Sequence, residues 1–284
     1  MTAFVILAAG RARRYGGVKP LAPIGPNDEA VIDLLAGDAV RAGFDRLVLV
    51  INPDTGNLIR NHVTSAWPSS VEVSYAVQRR PIGTVDAVLA ARDDADDEHA
   101  FAVANADDLY GVDALSVLAT HLRAHGTNSL VGFRLDRALV GDLGVTRGVC
   151  EVADGRLVSI VERRDVRQDG GAFLSDDGLE PKELDASALV SMNLWGFDPR
   201  MWQVFADAMD MSSDAHEDNE VLLPELVSRV VQGLRGDEAL RSVNVLATTS
   251  RCIGVTHPDD LALVKADIAA QIAAGERPLE AFPA

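Results

Sequence analysis

The chain has 284 residues, of which 48% are apolar and 5% aromatic, and it carries a formal net charge of −17. This length and apolar content suffice for one large α/β domain with an aliphatic core, and the acidic charge argues against a nucleic-acid partner. No apolar run approaches the ~20 residues of a membrane-spanning helix, no signal peptide fits ahead of the first predicted strand, and Cys150 and Cys252 form no metal-binding pattern. We therefore expect a cytoplasmic protein.

The first predicted element is a buried strand over residues 4–9, which turns at Gly10 into a basic loop. No acidic residue appears before Asp28. Four basic side chains crowd this loop: Arg11, Arg13, Arg14 and Lys19. Glycines at positions 10, 16 and 17 leave backbone N–H groups free for phosphate oxygens, so the loop predicts a polyphosphate site. It matches neither a Walker A motif nor a dinucleotide fingerprint, and a surface loop of solvated arginines is the alternative.

Helices and strands alternate through the rest of the first half. Helices are predicted at 31–42, 57–65 and 84–92, and strands at 46–52, 71–77 and 101–104. This βαβ series predicts a mostly parallel sheet whose ligands gather at the carboxyl ends of its strands.

Two segments follow strands in this half. The segment VQRRPIG ends one strand. Its Gln78 amide could contact a nucleobase, and Gly83 exposes N–H groups at a helix start. The alternative is an ordinary strand-to-helix turn with Thr84 near the helix cap. FAVANADDLYG ends another strand in Asp107 and Asp108, whose mutual repulsion predicts a hard cation such as Mg²⁺. Either aspartate could instead cap the helix predicted at 112–125, and a cap is the stronger alternative for Asp108.

The second half of the chain lacks the regular alternation of strands and helices that is predicted for the first half. Strands are predicted at 128–134, 141–152, 157–162 and 189–197, the middle two forming a pair that turns at Asp154 and Gly155. Residues 165–185 are polar and aperiodic, which predicts a mobile lid or a disordered loop. An apolar face at helical spacing predicts a helix within 219–234, and residues 252–261 lead from a strand into a last helix.

LAAGRARRYGGVKPLAPIG resembles the N-terminal motif of sugar-phosphate nucleotidyltransferases, LA(A/G)GxGxRxxxxKxL, and later motifs follow in the family's order along nearly the whole chain. Ala12 departs from it where the family usually has a second glycine. The resemblance implies an α/β, Rossmann-like and GT-A-like fold: a mostly parallel central sheet flanked by helices, with a small β-rich acceptor-binding insertion. It also implies a single domain over 1–284, with a nucleotide-binding half at 1–127 and an acceptor-binding half at 128–284.

The same resemblance implies roles for individual residues. Catalytic roles fall on Arg14, Lys19 and Asp107. Nucleotide contacts fall on Leu7, Ala8, Ala9, Gly10, Gln78, Gly83 and Thr84. Acceptor contacts fall on Gly148, Glu162, Arg163 and Asn193, although Glu162 and Arg163 could simply pair on a surface strand. Asp107 would hold the metal with Thr256, which stands where relatives often place a second Asp or Asn.

The implied reaction is Mg²⁺-dependent transfer of a nucleotidyl group from an NTP to a sugar 1-phosphate or similar phosphorylated alcohol, giving an NDP-sugar and pyrophosphate. It needs no protein nucleophile. The alternatives are a cytidylyl- or guanylyltransferase for a cyclitol, polyol or choline phosphate, and a catalytically silent nucleotide sensor. The family often forms dimers or tetramers, so a homo-oligomer is an open expectation.

Overall fold

The structure, a computed structural model, describes residues 2–10, 17–139, 144–211, 220–255 and 260–283. Two predicted site residues, Arg14 and Thr256, lie outside the described residues, as do Arg11, Ala12 and Arg13 of the basic loop. Strands and helices alternate up to β4, as the βαβ pattern predicts. The strands are β1 (Ala3–Leu7), β2 (Arg46–Ile51), β3 (Val73–Val77), β4 (Phe101–Asn105), β5 (Asp108–Leu109), β6 (Ser129–Arg134), β7 (Val145–Ala153), β8 (Arg156–Asp169), β9 (Ala172–Leu174), β10 (Glu183–Leu184), β11 (Leu189–Phe197), β12 (Asn244–Ala247) and β13 (Ile253–Gly254).

The helices are α1 (Val31–Ala42), α2 (Gly56–Ala66), α3 (Thr84–Ala90), α4 (Val112–His125), α5 (Met201–Met211), α6 (Leu223–Val231) and α7 (Asp260–Ala273). Local signals explain where two of them end. Gly43 after α1 and Gly126 after α4 both adopt left-handed backbone conformations, with φ of 87° and 60°, which glycine reaches without a Cβ clash. At the start of α1 the Asp33 carboxylate accepts a hydrogen bond from the Ala30 N–H at 2.8 Å.

The main sheet is mixed, which corrects the prediction of a mostly parallel one. Strands β3, β2, β1 and β4 run parallel in that order, as the βαβ pattern of the first half predicts. β11 then pairs antiparallel with both β4 and β6, and β7 to β10 add only antiparallel pairs. The second half therefore makes the sheet mixed: β11 runs opposite to its neighbours β4 and β6, whereas β12 runs parallel to β6. The antiparallel pairs among β7, β8, β9 and β10 join strands that follow one another along the chain without a crossover helix.

Five strands close a circuit at the end of this sheet opposite β3. β11 pairs with β6 and β7, β7 pairs with β8, β8 touches β12 at Arg156 and Asn244, and β12 pairs with β6. The small barrel so formed is the β-rich insertion that the family resemblance implies.

Residues 165–169, 172–174 and 183–184 form strands, which corrects the prediction of a disordered loop over residues 165–185. β8 continues through Asp169 and turns into β9, which pairs with β10. Asp177, in the connection between β9 and β10, accepts a hydrogen bond from Arg163 Nε at 2.7 Å. This ion pair, with both side chains about 95% buried, supplies the anchor that apolar periodicity does not show.

Helices cover both faces of the sheet. Alternate side chains of β1 enter two separate cores: Phe4 and Ile6 pack with α1, α2, α4 and α7, whereas Val5 packs with α3, α5 and α6. In the second core the rings of Phe101 and Trp202 stack with centroids 3.9 Å apart. None of the helices in the described part of the chain has the length and apolar character needed to cross a bilayer.

Candidate active site

A cleft of about 760 Å³ opens where β4 ends, between the barrel and α6. Its polar wall combines side chains from β4, β5, β7, β8, β11, α6 and α7. The described lining residues are Lys19, Asn105, Asp107, Asp108, Val145, Thr146, Arg147, Gly148, Ile160, Glu162, Arg164, Ser191, Met192, Asn193, Leu222, Pro224, Glu225, Ser228, Arg229, Gly254 and Asp260.

Lys19 and Asp107, both predicted to be catalytic, meet in this cleft. Lys19 opens a short 3₁₀ turn with Pro20 behind it, and its Nζ lies 3.6 Å from Asp107 Oδ2. The Asp107 side chain is 37% exposed and that of Lys19 17%. The basic segment near the N-terminus and the carboxylate after β4 therefore face the same space, with both groups accessible to a ligand.

Asp108 lies deeper than Asp107. It belongs to β5, which pairs with β13, and its Oδ2 accepts a hydrogen bond from Asn105 Nδ2 at 3.0 Å. Burial and the neighbouring charge of Asp107 raise the pKa of Asp108 to about 7. Only glycine fits opposite it, because a Cβ on Gly254 would lie 2.1 Å from Asp108 Oδ1. The alternative of a helix cap is wrong for Asp108, since the residue at the N-cap of α4 is Gly111.

This pair of carboxylates fits a magnesium ion. Two adjacent acidic groups, one with its pKa raised by burial and by the other's charge, gain from a cation placed between them. Within the described ranges no three His, Cys, Asp or Glu side chains are grouped closely enough to hold a metal on their own. Magnesium usually needs only one or two carboxylates because substrate phosphates and water complete its shell, so the donor set suits a metal that arrives with a nucleotide.

A buried tyrosine joins the end of β4 to β11. Tyr110 Oη accepts a hydrogen bond from the Asn105 N–H and donates one to the Met192 carbonyl, both at 3.0 Å. The ring is fully buried, and burial raises the pKa of Tyr110 well above its ordinary value. Asn105 and Met192 both line the cleft, so this phenol holds two of its walls together.

The segment from Leu7 to Gly10 continues β1 beside the cleft. Leu7 pairs with the lining residue Asn105, and its carbonyl accepts a hydrogen bond from Ala106. Ala8 donates to the Val50 carbonyl. Gly10 is exposed, and no atom of the described residues would lie within 4 Å of a Cβ at this position, so these residues leave its backbone open to a ligand.

Asn52 is a structural support for this segment that the sequence did not reveal. Its Nδ2 donates to the Ala9 carbonyl at 3.1 Å, while its Oδ1 accepts from the backbone N–H groups of Asp54 and Thr55. In the sequence, Asn52 is a polar residue at the end of an apolar strand, and the same pattern identified Asp107.

Gln78, Gly83 and Thr84 form the turn between β3 and α3, beside the described lining rather than in it. Gln78 is 8% exposed, and its Nε2 donates to the Gly83 carbonyl and to Asp86 Oδ2. Thr84 Oγ1 accepts a hydrogen bond from the Leu223 N–H at 2.8 Å, so it bonds to the start of α6.

Gly83 is required by its neighbours. Its φ is 109°, and a Cβ there would lie 2.3 Å from the Val221 carbonyl oxygen. The next two residues along, Leu222 and Leu223, lead into α6. This turn therefore sets the position of the helix that forms one side of the cleft.

Gly148, Glu162 and Asn193, three of the four predicted acceptor contacts, line the cleft together. Gly148 pairs with Glu162 across β7 and β8 and with Ser191 on β11. Asn193 adopts a left-handed backbone conformation with φ of 59°, at an irregularity in the β11–β6 register that turns the strand locally.

Arg163, the fourth predicted acceptor contact, does not line the cleft. Its guanidinium is 5% exposed and bonds to Asp177 and to the carbonyls of Leu179 and Pro181. Successive strand residues point to opposite faces, so its neighbours Glu162 and Arg164 point toward the cleft instead. The alternative, a surface pair between Glu162 and Arg163, is not formed either, because Glu162 pairs with Arg164: its Oε1 lies 3.2 Å from Arg164 Nε.

The sequence interpretation missed Arg147 and the polar face of α6. Arg147 lines the cleft next to Gly148, and α6 contributes Glu225, Ser228 and Arg229 opposite its buried apolar face. Glu225, Ser228 and Arg229 follow helical spacing, which could have identified them as one face of α6.

A model of the Nucleotidyl transferase family matches residues 3–234 of this chain. The chain belongs to that family. This confirms the resemblance drawn from the motifs, and the chain is a nucleotidyltransferase enzyme. No curated protein sequence matches it.

Solved structures share the fold of this nucleotidyltransferase. A UDP-glucose pyrophosphorylase complexed with UDP-glucose aligns with a TM-score of 0.63 and 15% identity, over 95% of this chain and 99% of its own. A UTP-bound UGPase from Acinetobacter baumannii gives 0.62 and 15%, over 94% and 93%. A UDP-glucose pyrophosphorylase from the same organism gives 0.63 and 15%, over 93% and 92%.

Proposed function

We propose that this nucleotidyltransferase transfers a nucleotidyl group from an NTP to a sugar 1-phosphate, or to a similar phosphorylated alcohol, in a magnesium-dependent reaction. The observation that carries the proposal is the meeting of Lys19 and Asp107 at 3.6 Å in a cleft that extends to Gly148, Glu162 and Asn193. One end of the cleft thus suits phosphate groups, and the other offers hydrogen-bonding groups to an alcohol or sugar.

The chemistry needs no nucleophile from the protein. A phosphate monoester has a second pKa near ~6, so at neutral pH it presents a dianionic oxygen. That oxygen forms a bond to the α-phosphorus of the NTP, while the bond from this phosphorus to the bridging oxygen breaks and pyrophosphate leaves with the electron pair. The protein's task is to hold two polyanions in line and to offset their repulsion.

Lys19 would offset charge on the triphosphate, and the carboxylates of Asp107 and Asp108 would hold the metal ion. When bound, Mg²⁺ neutralises phosphate charge as pyrophosphate departs. Arg14 belongs to the same proposal on the strength of its motif, and so does Thr256 as a weaker metal ligand.

The turn between β3 and α3, formed by Gln78, Gly83 and Thr84, would contact the base of the nucleotide in this proposal. Since Gln78 Nε2 is bonded to Gly83 and Asp86, the base would contact the remaining Gln78 oxygen and the backbone at Gly83. In this proposal residues 1–127 form the nucleotide-binding half of the enzyme, and residues 128–284 form its acceptor-binding half. The enzyme is proposed to be cytoplasmic.

The first substrates to test are UTP and glucose 1-phosphate, because two structures with this fold are described as holding UTP or UDP-glucose. Choline phosphate fits less well. A quaternary ammonium group is usually held among aromatic rings, and none of the described lining residues is aromatic.

The test is pyrophosphate release by the purified full chain with each of the four NTPs, Mg²⁺ and a panel of hexose 1-phosphates, cyclitol phosphates and polyol phosphates. We expect one combination to exceed all others and EDTA to abolish it. Absence of release with every pair, while the chain still binds an NTP, would overturn the proposal in favour of a nucleotide sensor.

A further inference from the structure

Arg147 is a mostly buried cation on β7 whose hydrogen bonds all go to backbone carbonyls. Nε and Nη2 donate to the Ala138 carbonyl at 3.0 and 2.8 Å, and Nη1 donates to the Thr146 carbonyl at 2.9 Å. These three bonds fix the plane of the guanidinium. They leave two of its five N–H groups without a partner among the residues that the structure describes.

The charge of Arg147 also has no close counter-charge among the described residues. Asp108 attracts it, but no carboxylate of the described ranges lies within 4 Å of its nitrogens. Burial lowers the pKa of Arg147, and the charge of Asp108 opposes this shift. Buried charges are normally paired, so a fixed guanidinium that opens onto a cleft indicates an anionic ligand.

The neighbouring arginines are otherwise engaged. Arg163 is bonded to Asp177 behind the strand, and Arg164 pairs with Glu162 with 75% of its side chain exposed. Arg147 therefore combines burial, rigidity and free donors in a way that neither of these two does. It also adjoins Gly148 on one side and attracts Asp108 on the other, so it lies where the acceptor half meets the carboxylate pair.

We propose that Arg147 binds the phosphate group of the acceptor substrate and holds the attacking oxygen beside the carboxylate pair. This inference rests on the proposed function and refines it: the acceptor's reacting phosphate is bound by Arg147 on β7, in place of the predicted Arg163 on β8. The planar guanidinium offers two parallel N–H groups, a geometry that suits bidentate contact with phosphate oxygens.

The kinetic test compares wild type with Arg147→Met and Arg147→Lys, using the best substrate pair from the pyrophosphate-release panel. The exposed Arg156→Met on β8 is the matched control. Loss of charge-assisted hydrogen bonds should raise the acceptor KM roughly ten- to a hundredfold in Arg147→Met and leave the NTP KM within about threefold. Arg147→Lys should recover part of the loss, and Arg156→Met should behave as wild type. An unchanged acceptor KM in a folded Arg147→Met variant would overturn the inference.

A second measurement does not depend on activity. Crystals of the wild-type chain soaked in inorganic phosphate should show an anion hydrogen-bonded to the Arg147 guanidinium, and crystals of Arg147→Lys should show it displaced or lost. Soaks that place phosphate at Lys19 but never at Arg147 would refute the inference. If the wild-type chain releases no pyrophosphate with any substrate pair, the proposed function fails, while the soaks still decide whether Arg147 binds an anion.

Discussion

Asp107 is the residue on which the proposed chemistry most depends, and its substitution gives a clean test. Asp107→Asn keeps the shape of the side chain and removes the charge that faces Lys19 and a metal ion. We expect turnover to fall roughly ten- to several-hundredfold, because about 1.4 kcal/mol of lost transition-state stabilisation corresponds to each factor of ten. The measurement is pyrophosphate release over a series of Mg²⁺ concentrations.

The fold should survive this change, because Asp107 is partly exposed and its charge raises the pKa of the buried Asp108. Asp93→Asn, an exposed substitution outside the cleft, is the matched control and should have wild-type activity. Near-normal turnover by Asp107→Asn would remove Asp107 from the catalytic group.

For single residues, the sequence indicated which side chains belong to the site more reliably than it indicated where those side chains point. Lys19, Asp107, Gly148 and Asn193 all line the cleft, because each sits at a strand end or in a motif whose place in the sheet the pattern indicates. Arg163, a predicted acceptor contact, does not line the cleft, because neighbouring residues of β8 point to opposite faces of the strand. No periodicity marks which of the two consecutive arginines, Arg163 or Arg164, is buried, since the answer depends on a partner at position 177.

Among the elements, the Arg163–Asp177 pair anchors the arm formed by β8, β9 and β10. Asp177→Ala would leave the Arg163 guanidinium buried without its carboxylate and should therefore destabilise this arm. We expect faster hydrogen exchange and faster proteolysis within residues 172–184. Asp176→Ala, next to it and exposed, is the control and should change neither.

The pH dependence of this effect follows from the hydrogen bonds that Asp177 accepts. The side-chain bond from Arg163, the largest contribution, holds the pKa of Asp177 well below its ordinary value of about 3.9. A lowered folded-state pKa contributes stability that is fully present above the unfolded value and is lost as the pH falls through the folded one. The difference between wild type and Asp177→Ala should therefore be constant above about pH 5 and shrink in stronger acid. Urea unfolding at several pH values measures it, and a difference that grows in acid would contradict this account.

Strongly periodic elements were predictable and the arm was not. α1, α4 and β11 have the predicted bounds, because an amphipathic helix ended by glycine, or a long apolar strand, is specified by its own residues. Within residues 165–185 the buried apolar side chains are Val166, Phe173 and Leu184, which stand too far apart to form a local pattern. The rest of the arm is held by strand pairing and by the Arg163–Asp177 ion pair, and neither can be seen in the local sequence.

At the scale of the whole molecule, the C-terminal tail ties the end of the chain to α1. Arg277 Nη2 lies 2.8 Å from Asp38 Oδ2, with both side chains at least 97% buried, and Arg41 Nη1 donates to the Ala281 carbonyl at 2.6 Å. A Cβ on Gly37 would lie 1.6 Å from that same carbonyl oxygen, so the tail packs directly on the helix backbone. The tail lies beyond the residues matched by the family model.

Arg277→Met should destabilise the protein by about 3 kcal/mol, because Asp38 would remain buried without its main partner. Burial already raises the pKa of Asp38, so protonation of this carboxyl would relieve part of the cost. We expect a lower urea midpoint with kcat unchanged, since no tail residue is among the described residues that line the cleft.

The double variant Asp38→Leu/Arg277→Met is the control, because it removes both charges. It should recover much of the lost stability. Equal losses in the single and double variants would mean that packing of the tail, rather than the unpaired charge, is responsible.

The overall architecture was only half predictable. The alternating first half gave the parallel strands and their ligand-binding edge, because each crossover helix enforces parallel pairing. The position of β11 between β4 and β6, the closed barrel and the tail on α1 join residues far apart in sequence. A single sequence carries no record of such pairings, and the mixed sheet follows from them.

The phenol of Tyr110 ties together the two strands on one side of the cleft. Its hydroxyl satisfies the N–H of Asn105 and the carbonyl of Met192 at once, so separating β4 from β11 would leave both groups unmet in a dry interior. These two strands therefore form one wall of the cleft that is costly to open. On the other side α6 is attached to the turn at Gly83, where Thr84 Oγ1 accepts a hydrogen bond from the Leu223 N–H, so one hydroxyl group on each side helps to set the shape of the cleft.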